Sequence, residues 1–348
     1  MKPRDIVLQA IRPQKGVQLS RFPVALLSGG TWTFLQRDLS LKNVLDHPAV
    51  APQVIVDVNN EIQSDIVWPG SGYHNLLAQI FGGKIKFRER GNIDVIGTAF
   101  DNLAALDKLD VSLIDKNEWI GSLREIIAAV HEKIGEQYLI GTSSWGPFTL
   151  AGQFYGVEKV MSGLYKDKAG IHALLEVMTE VAYRYLSPAV AKGAQLISIA
   201  EPTASGDLIS LRHFEEFVAP YLAQLISRLK QDGALITLHI CGNINDRVKL
   251  VPGLGVDLLS VDYKVDLTKA AEVLDNKVAL AGNVNPVILK DGLTEDLIVA
   301  TQQSLRKGRK YERFVLMPGC DIPPVTPLAN VKTFFSVGLD APRPRSDY

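Results

Sequence analysis

Eight short apolar runs, most of them closed by Gly, Pro, Asp or Asn and followed by a stretch of helical periodicity, restrict what this chain can fold into. They are FPVALLS (22–28), SDIVWPG (64–70), QYLIGTSS (137–144), AQLISIAEP (194–202), ALITLHICG (234–242), DLLSVDY (257–263), KVALAGNVNP (277–286) and RFVLMPGCD (313–321). Runs this uniformly apolar suit strands buried on both faces, as parallel strands under a cover of helices are. Eight β-then-α units predict an α/β chain closed into a (β/α)8 TIM barrel; an open doubly wound sheet is the other arrangement of the same units.

Local patterns add detail. KIKFRERGNIDV (84–95) alternates around a polar turn and predicts a hairpin inserted between the second and third strands. The segment 211–233 places apolar residues at three- and four-residue steps up to a terminal Gly, which predicts one helix. A second helix is expected over 294–310, with Thr294 as N-cap and basic residues in its last turn. A chain of 348 residues, 47% hydrophobic, can bury a core of this size as a single barrel domain, expected over 1–342. The Pro- and charge-rich end APRPRSDY predicts a disordered tail at 343–348.

Composition removes several function classes. With 37 basic and 38 acidic residues the chain has no general attraction for nucleic acid or an anionic membrane. No apolar run reaches the roughly 18 residues a membrane span needs, and MKPRDIVLQAIRPQKG lacks the apolar centre of a signal peptide, so the cytoplasm is expected. In that reducing compartment Cys241 and Cys320 are not a structural staple; they are either inert core thiols or ligands.

In a barrel the reactive side chains stand at the carboxyl ends of the strands, and here those ends are polar: Glu201, His239, Cys241, Asp262, Asn283, Asn285, Cys320 and Asp321. His239 and Cys241 are two apart, so on a strand they share a face, and Cys320 holds the matching position of the eighth run. Three N/S donors with a position left open are what catalytic zinc uses; a satisfied histidine and two small buried hydrophobes are the alternative. Glu201 reads as a fourth ligand, an acid/base group, a partner of the metal site, or an N-cap in EPTASGD. Asn283 in GNVNP can orient a ligand or make a turn. The helix start in WGPFTLAGQF (145–154) can present backbone N–H groups to an anion or serve as a plain strand-to-helix turn. Trp32, Trp68, Tyr73, Trp145 and Tyr263 can wall a substrate pocket or only pack.

Taken together, GPFTLAGQFYGVE (146–158), EPTASGDLIS (201–210), LHICGN (238–243), LAGNVNP (280–286) and MPGCDIPPVTPLANVKTF (317–334) resemble the uroporphyrinogen decarboxylase superfamily, and within it the corrinoid-dependent methyltransferases. The resemblance implies a (β/α)8 barrel with zinc on His239, Cys241 and Cys320, and a corrinoid (cobalamin) supplied by a separate corrinoid-binding protein. It also implies a catalytic role for Glu201, from its place in EPTAS. The second substrate is then a small methyl donor or acceptor. Thiols such as coenzyme M or homocysteine are one class; aryl methyl ethers, as in O-demethylases, are the other, favoured by the apolar strand ends Leu26, Leu27, Trp32, Trp68 and Tyr73.

Two further readings of the resemblance differ in chemistry. One is a uroporphyrinogen decarboxylase, but where such enzymes carry an arginine-rich segment for substrate carboxylates this chain reads VALLSGGTWTF (24–34), which would leave those charges unpaired. The other is a non-catalytic barrel that only docks a corrinoid protein.

Overall fold

A computed structural model describes residues 1–342; the tail expected at 343–348 lies outside them. Nine strands occur there: β1 (Ile66–Val67), β2 (Lys84–Phe87), β3 (Ile93–Gly97), β4 (Leu139–Trp145), β5 (Leu196–Ala200), β6 (Leu235–Ile240), β7 (Leu258–Val261), β8 (Ala279–Val284) and β9 (Phe314–Pro318). Seven form one parallel sheet in the order β1-β4-β5-β6-β7-β8-β9, with helices in the connections. β2 and β3 pair antiparallel as a separate two-stranded sheet.

The first apolar run bonds to β9 on one side and to Asp65, the residue before β1, on the other. Leu316 donates to the Pro23 carbonyl and receives Ala25 N–H on its own, while the Asp65 N–H reaches the Val24 carbonyl at 2.9 Å. The buried Asp65 carboxylate accepts the Val24 N–H at 2.8 Å and both arms of the Arg21 guanidinium at 2.6 and 2.7 Å. A buried carboxylate is tolerable only when paired in this way, and the pair fixes the segment 23–25 beside β1.

Alternation along the strands sorts the core into two layers. In β6, Ile236, Leu238 and Ile240 join the apolar layer under the helices, whereas Leu235 belongs to a second, inner cluster with Leu139, Leu196, Leu258, Ala279 and Val315. The helix Pro3–Ile11 adds Ile6, Val7, Ala10 and Ile11 to that inner cluster and so plugs the end where the strands begin. Burying each large aliphatic side chain there contributes roughly 1.5–3 kcal/mol. Inward residues nearer the other end are polar: Thr237 and His239 on β6, Ser260 on β7 and Asn283 on β8. The inner space is therefore apolar where the strands start and polar where they finish.

Two local expectations are corrected. The helix expected over 211–233 is two helices, Leu211–Phe217 and Ala219–Gln231, because Pro220 has no N–H to give the preceding turn and starts a new helix instead. Thr294 is the first residue of the helix Thr294–Gly308 rather than its N-cap; Leu293 holds that place and makes no side-chain cap.

Candidate metal centre

His239 is the last inward residue of β6, and Cys241 follows it on the same side. Cys320 arrives from the loop after β9. The His239 Nε2 lies 3.2 Å from the Cys241 Sγ, the two Sγ atoms are 3.6 Å apart, and all three donor atoms fall within 4.8 Å of one another. For Zn–S bonds of about 2.3 Å a tetrahedral ion spaces two sulfurs by roughly 3.7 Å, so the observed separation fits zinc. Nδ1 of His239 meets the Ser260 carbonyl at 3.2 Å and its Oγ at 3.1 Å. A ring nitrogen engaged behind leaves the other to face the thiols, the usual arrangement of a ligating histidine.

The thiols share their protons unequally. A hydrogen bond from Cys320 lowers the Cys241 pKa below that of an ordinary thiol, and giving that bond, together with burial, raises Cys320.

The backbone around the thiols is held from several sides. The Gly242 N–H donates to Asp262 Oδ2 at 2.9 Å and the Asn243 N–H to Asp207 Oδ2 at 3.0 Å. Gly242 has φ +73°, and a Cβ there would lie 2.4 Å from the Asp207 carboxylate, so both conformation and space require glycine beside Cys241. At Gly319 a Cβ would come within 2.4 Å of the Tyr263 backbone nitrogen; only a glycine lets the Cys320 loop approach β7 this closely. Next to Cys320, the half-buried Asp321 accepts N–H bonds from Gly29 (2.8 Å) and Ile322 (3.0 Å), and burial pushes its pKa up to about 6.

Glu201 follows β5, and its side chain is wholly buried. Oε1 accepts the Phe148 N–H at 2.9 Å; Oε2 accepts the Thr149 N–H at 2.8 Å and the Thr149 hydroxyl at 2.6 Å. The acceptor at the start of the helix Pro147–Tyr155 is thus this internal carboxyl group. Glu201 does not cap the helix after its own loop, where Ser210 accepts the His213 N–H at 3.2 Å. Burial outweighs the hydrogen bonds and pushes the Glu201 pKa up to about 7.

The other expected residues are spread more widely. Asn283 spends its amide on the Asp262 and Val265 carbonyls (3.0 and 2.7 Å) and so holds the loop after β7. Asn285 caps the helix Pro286–Asp291. Trp32, Trp68 and Tyr73 are buried, with Trp32 Nε1 on the Thr326 carbonyl and Trp68 Nε1 on that of Leu26, both at 2.8 Å. Trp145 is half-buried, bonded to Asn75 Oδ1 at 2.7 Å and 4.2 Å from the His74 ring, and Tyr263 is exposed.

Ser260 escaped the reading of the sequence. Ser260 had a signal: it is a polar residue inside an apolar run, two before Asp262 and hence on the same face. Ser260→Ala is expected to weaken zinc binding by about 10- to 100-fold, as loss of an outer hydrogen bond to a ligating histidine does. Competition with a chelator measures it.

The chain matches the family model described as uroporphyrinogen decarboxylase (URO-D) over residues 14–338. It is 31% identical over 257 residues to the methylcobamide:CoM methyltransferase MtbA of Methanosarcina mazei, covering 73% of this chain and 74% of that one. To the uroporphyrinogen decarboxylase of Prochlorococcus marinus it is 24% identical over 353 residues, 94% of this chain and 95% of the relative. A solved methyltransferase from Methanosarcina mazei superposes with a TM-score of 0.86 at 25% identity, over 98% of this chain and 99% of that one. The chain belongs to the uroporphyrinogen decarboxylase family, among its methyltransferases.

Proposed function

We propose that this protein moves a methyl group between a small thiol and the cobalt of a corrinoid carried by a partner protein, using zinc held by His239, Cys241 and Cys320. The convergence of these three donor atoms within 4.8 Å at the polar end of the sheet carries the reading. Likeness to methyltransferases named for methylcobamide and CoM supports it. In the same reading residues 1–342 form one domain, a closed (β/α)8 barrel with 23–25 as its eighth strand, working in the cytoplasm. Among the described residues no helix is long and apolar enough to cross a membrane.

Zinc in this site would supply positive charge that favours the thiolate form of a thiol brought to it. The chain's own residues do the rest. His239 is oriented by Ser260, so its Nε2 points towards the thiols. Asp262 and Asp207 fix the backbone beside Cys241. Glu201 anchors the first turn of the helix Pro147–Tyr155, and Asn283 secures the loop that carries Tyr263; both act by positioning.

A thiol is preferred over an aryl methyl ether because the aromatic wall has shrunk. Trp32, Trp68 and Tyr73 are enclosed in packing, which leaves Trp145 and Tyr263 as the accessible rings. Mixing zinc-loaded protein with methylcobalamin and coenzyme M or homocysteine should convert the methylated corrinoid spectrum to that of the reduced form. Undiminished transfer by metal-free protein would refute the zinc role. Phenol release from an aryl methyl ether with no thiol turnover would move the substrate to the other class, and turnover of uroporphyrinogen alone would replace the reading.

A further inference from the structure

The loop after β1 and the end of β4 carry an aromatic pair, His74 and Trp145, that takes no part in the metal centre. The two rings stand 4.2 Å apart, edge to face, and Trp145 Nε1 is fixed on Asn75 Oδ1 at 2.7 Å. Asn75 is itself tied to the hairpin, its Nδ2 on the Ile93 carbonyl at 2.7 Å. Ser143, on the same side of β4 as the inner-cluster residue Leu139, bonds through Oγ to Ser71 Oγ of this loop at 3.1 Å.

These segments lie across from the metal donors. In the order β1-β4-β5-β6-β7-β8-β9, closed by 23–25, the gap between β1 and β4 is opposite that between β7 and β8. His239 and Cys241 from β6 and Cys320 from the loop after β9 flank the latter gap. One wall joins the two sides: Asp321, beside Cys320, holds the Gly29 N–H, and a Cβ on Gly30 would overlap the Ser71 carbonyl. His74 and Asp321 both keep partial contact with solvent, yet burial pushes His74 down to about 4 and Asp321 up to about 6. Groups that solvent reaches and that are still strongly desolvated line a narrow recess rather than an open surface. The inside of an eight-stranded barrel has room for one small ligand, so a short thiol with its sulfur at the metal ends against His74 and Trp145.

Hydrogen bonding and charge define that end. His74 Nδ1 is closed off without a partner, whereas Nε2 is neither closed off nor paired among the described residues. The single N–H of the neutral ring is therefore offered at Nε2. Trp145 adds an apolar face, its own N–H being engaged. At the hairpin Arg88 is paired with Asp94 and Arg90 with Asp38, and Lys264 stands over the Tyr263 ring on the metal's side. An acidic end group against His74 would lack a countercharge, which is costly in a recess.

We propose that His74 and Trp145 determine specificity for the methyl-accepting thiol: they receive the far end of a short thiol that terminates in a hydroxyl rather than in an acid. The inference rests on the zinc, thiol and closed-barrel reading above.

Isothermal titration of the zinc-loaded protein with ethanethiol, 2-mercaptoethanol and coenzyme M tests it, because these differ only in carrying hydrogen, hydroxyl or sulfonate on the second carbon. The hydroxyl is expected to tighten binding about tenfold over ethanethiol, the size of one hydrogen bond, and coenzyme M to bind more weakly than 2-mercaptoethanol. His74→Phe should weaken 2-mercaptoethanol about tenfold relative to ethanethiol, and His74→Gln, which keeps a donor, should restore part of that ratio. Zinc content and melting temperature report that each variant is loaded and folded. Coenzyme M binding more tightly than 2-mercaptoethanol, or an unchanged ratio of 2-mercaptoethanol to ethanethiol in His74→Phe, overturns the proposal. Ethanethiol needs the zinc alone, so its failure to bind would sink the thiol reading itself and this inference with it.

Discussion

Cys320→Ala is expected to strip the protein of zinc, from about one ion per chain to a small fraction of one, and to reduce methyl transfer by more than about a hundredfold. The magnitude follows from the coordination: loss of an outer hydrogen bond alone costs a metal site about 10- to 100-fold, and here a direct ligand is removed. With Cys320 gone, His239 and Cys241 offer two donors where catalytic zinc sites use three. Cys241→Ala should behave alike, since its Sγ lies 3.2 Å from the His239 Nε2 and 3.6 Å from the Cys320 Sγ. Metal analysis of the purified variants, with the corrinoid spectrum followed in parallel, gives both quantities. A Cys320→Ala protein that keeps wild-type zinc would show that the metal sits elsewhere.

The second large effect concerns Glu201. Alanine at this position would leave the Phe148 N–H, the Thr149 N–H and the Thr149 hydroxyl without their acceptor in a region closed to water. At about 1–3 kcal/mol for each buried group left unmet, and with the hydroxyl able to turn to Thr203, a loss of about 3–5 kcal/mol of folding stability is expected. Denaturant unfolding measures it.

Glutamine keeps the shape but cannot ionise, which exposes the pH dependence. The folded Glu201 pKa is pushed up to about 7 from an ordinary 4.5. Between these values the folded protein holds a proton that the unfolded chain has lost, so the Glu201 contribution to stability is complete below about pH 4.5 and is lost as pH rises through about 7. The shift corresponds to roughly 3 kcal/mol. Relative to wild type, Glu201→Gln should therefore gain about that much stability between pH 4.5 and 7, and no more above it. A difference between the two proteins that stays flat over this interval would show that the carboxylate is not held in its acid form.

Periodicity alone placed all the principal strands. β1 and β5 to β9 fall inside six of the eight apolar runs, β4 overruns a seventh by one residue, and the remaining run supplies the 23–25 segment that bonds to β9 and to Asp65, the residue before β1. The runs were legible because burial on two faces demands apolar residues at every position, a demand that does not depend on what lies far away in the chain. The pairing of His239 with Cys241 was legible for a similar reason, being a consequence of strand geometry over two residues.

Cys320, Glu201 and the aromatic residues needed the folded chain. Nothing in the 79 residues between Cys241 and Cys320 fixes their separation; the loop after β9 does, through the close approach of Gly319 to Tyr263. Glu201 looked like a residue that could face the site or cap its own helix, and it caps a helix that starts 54 residues earlier in the chain. Trp32, Trp68 and Tyr73 sit at strand ends, as a pocket wall would, yet their rings turn into the packing.

By itself the sequence determined the α/β class, the strand positions and the shared face of His239 and Cys241, because these follow from the repeat of the backbone and the need to bury apolar side chains. Only the tertiary structure decided how closely the third donor, Cys320, approaches them, which helix receives the Glu201 carboxylate and which aromatic rings stay accessible. Those outcomes depend on contacts between segments distant in the chain, and such contacts leave no period in the sequence.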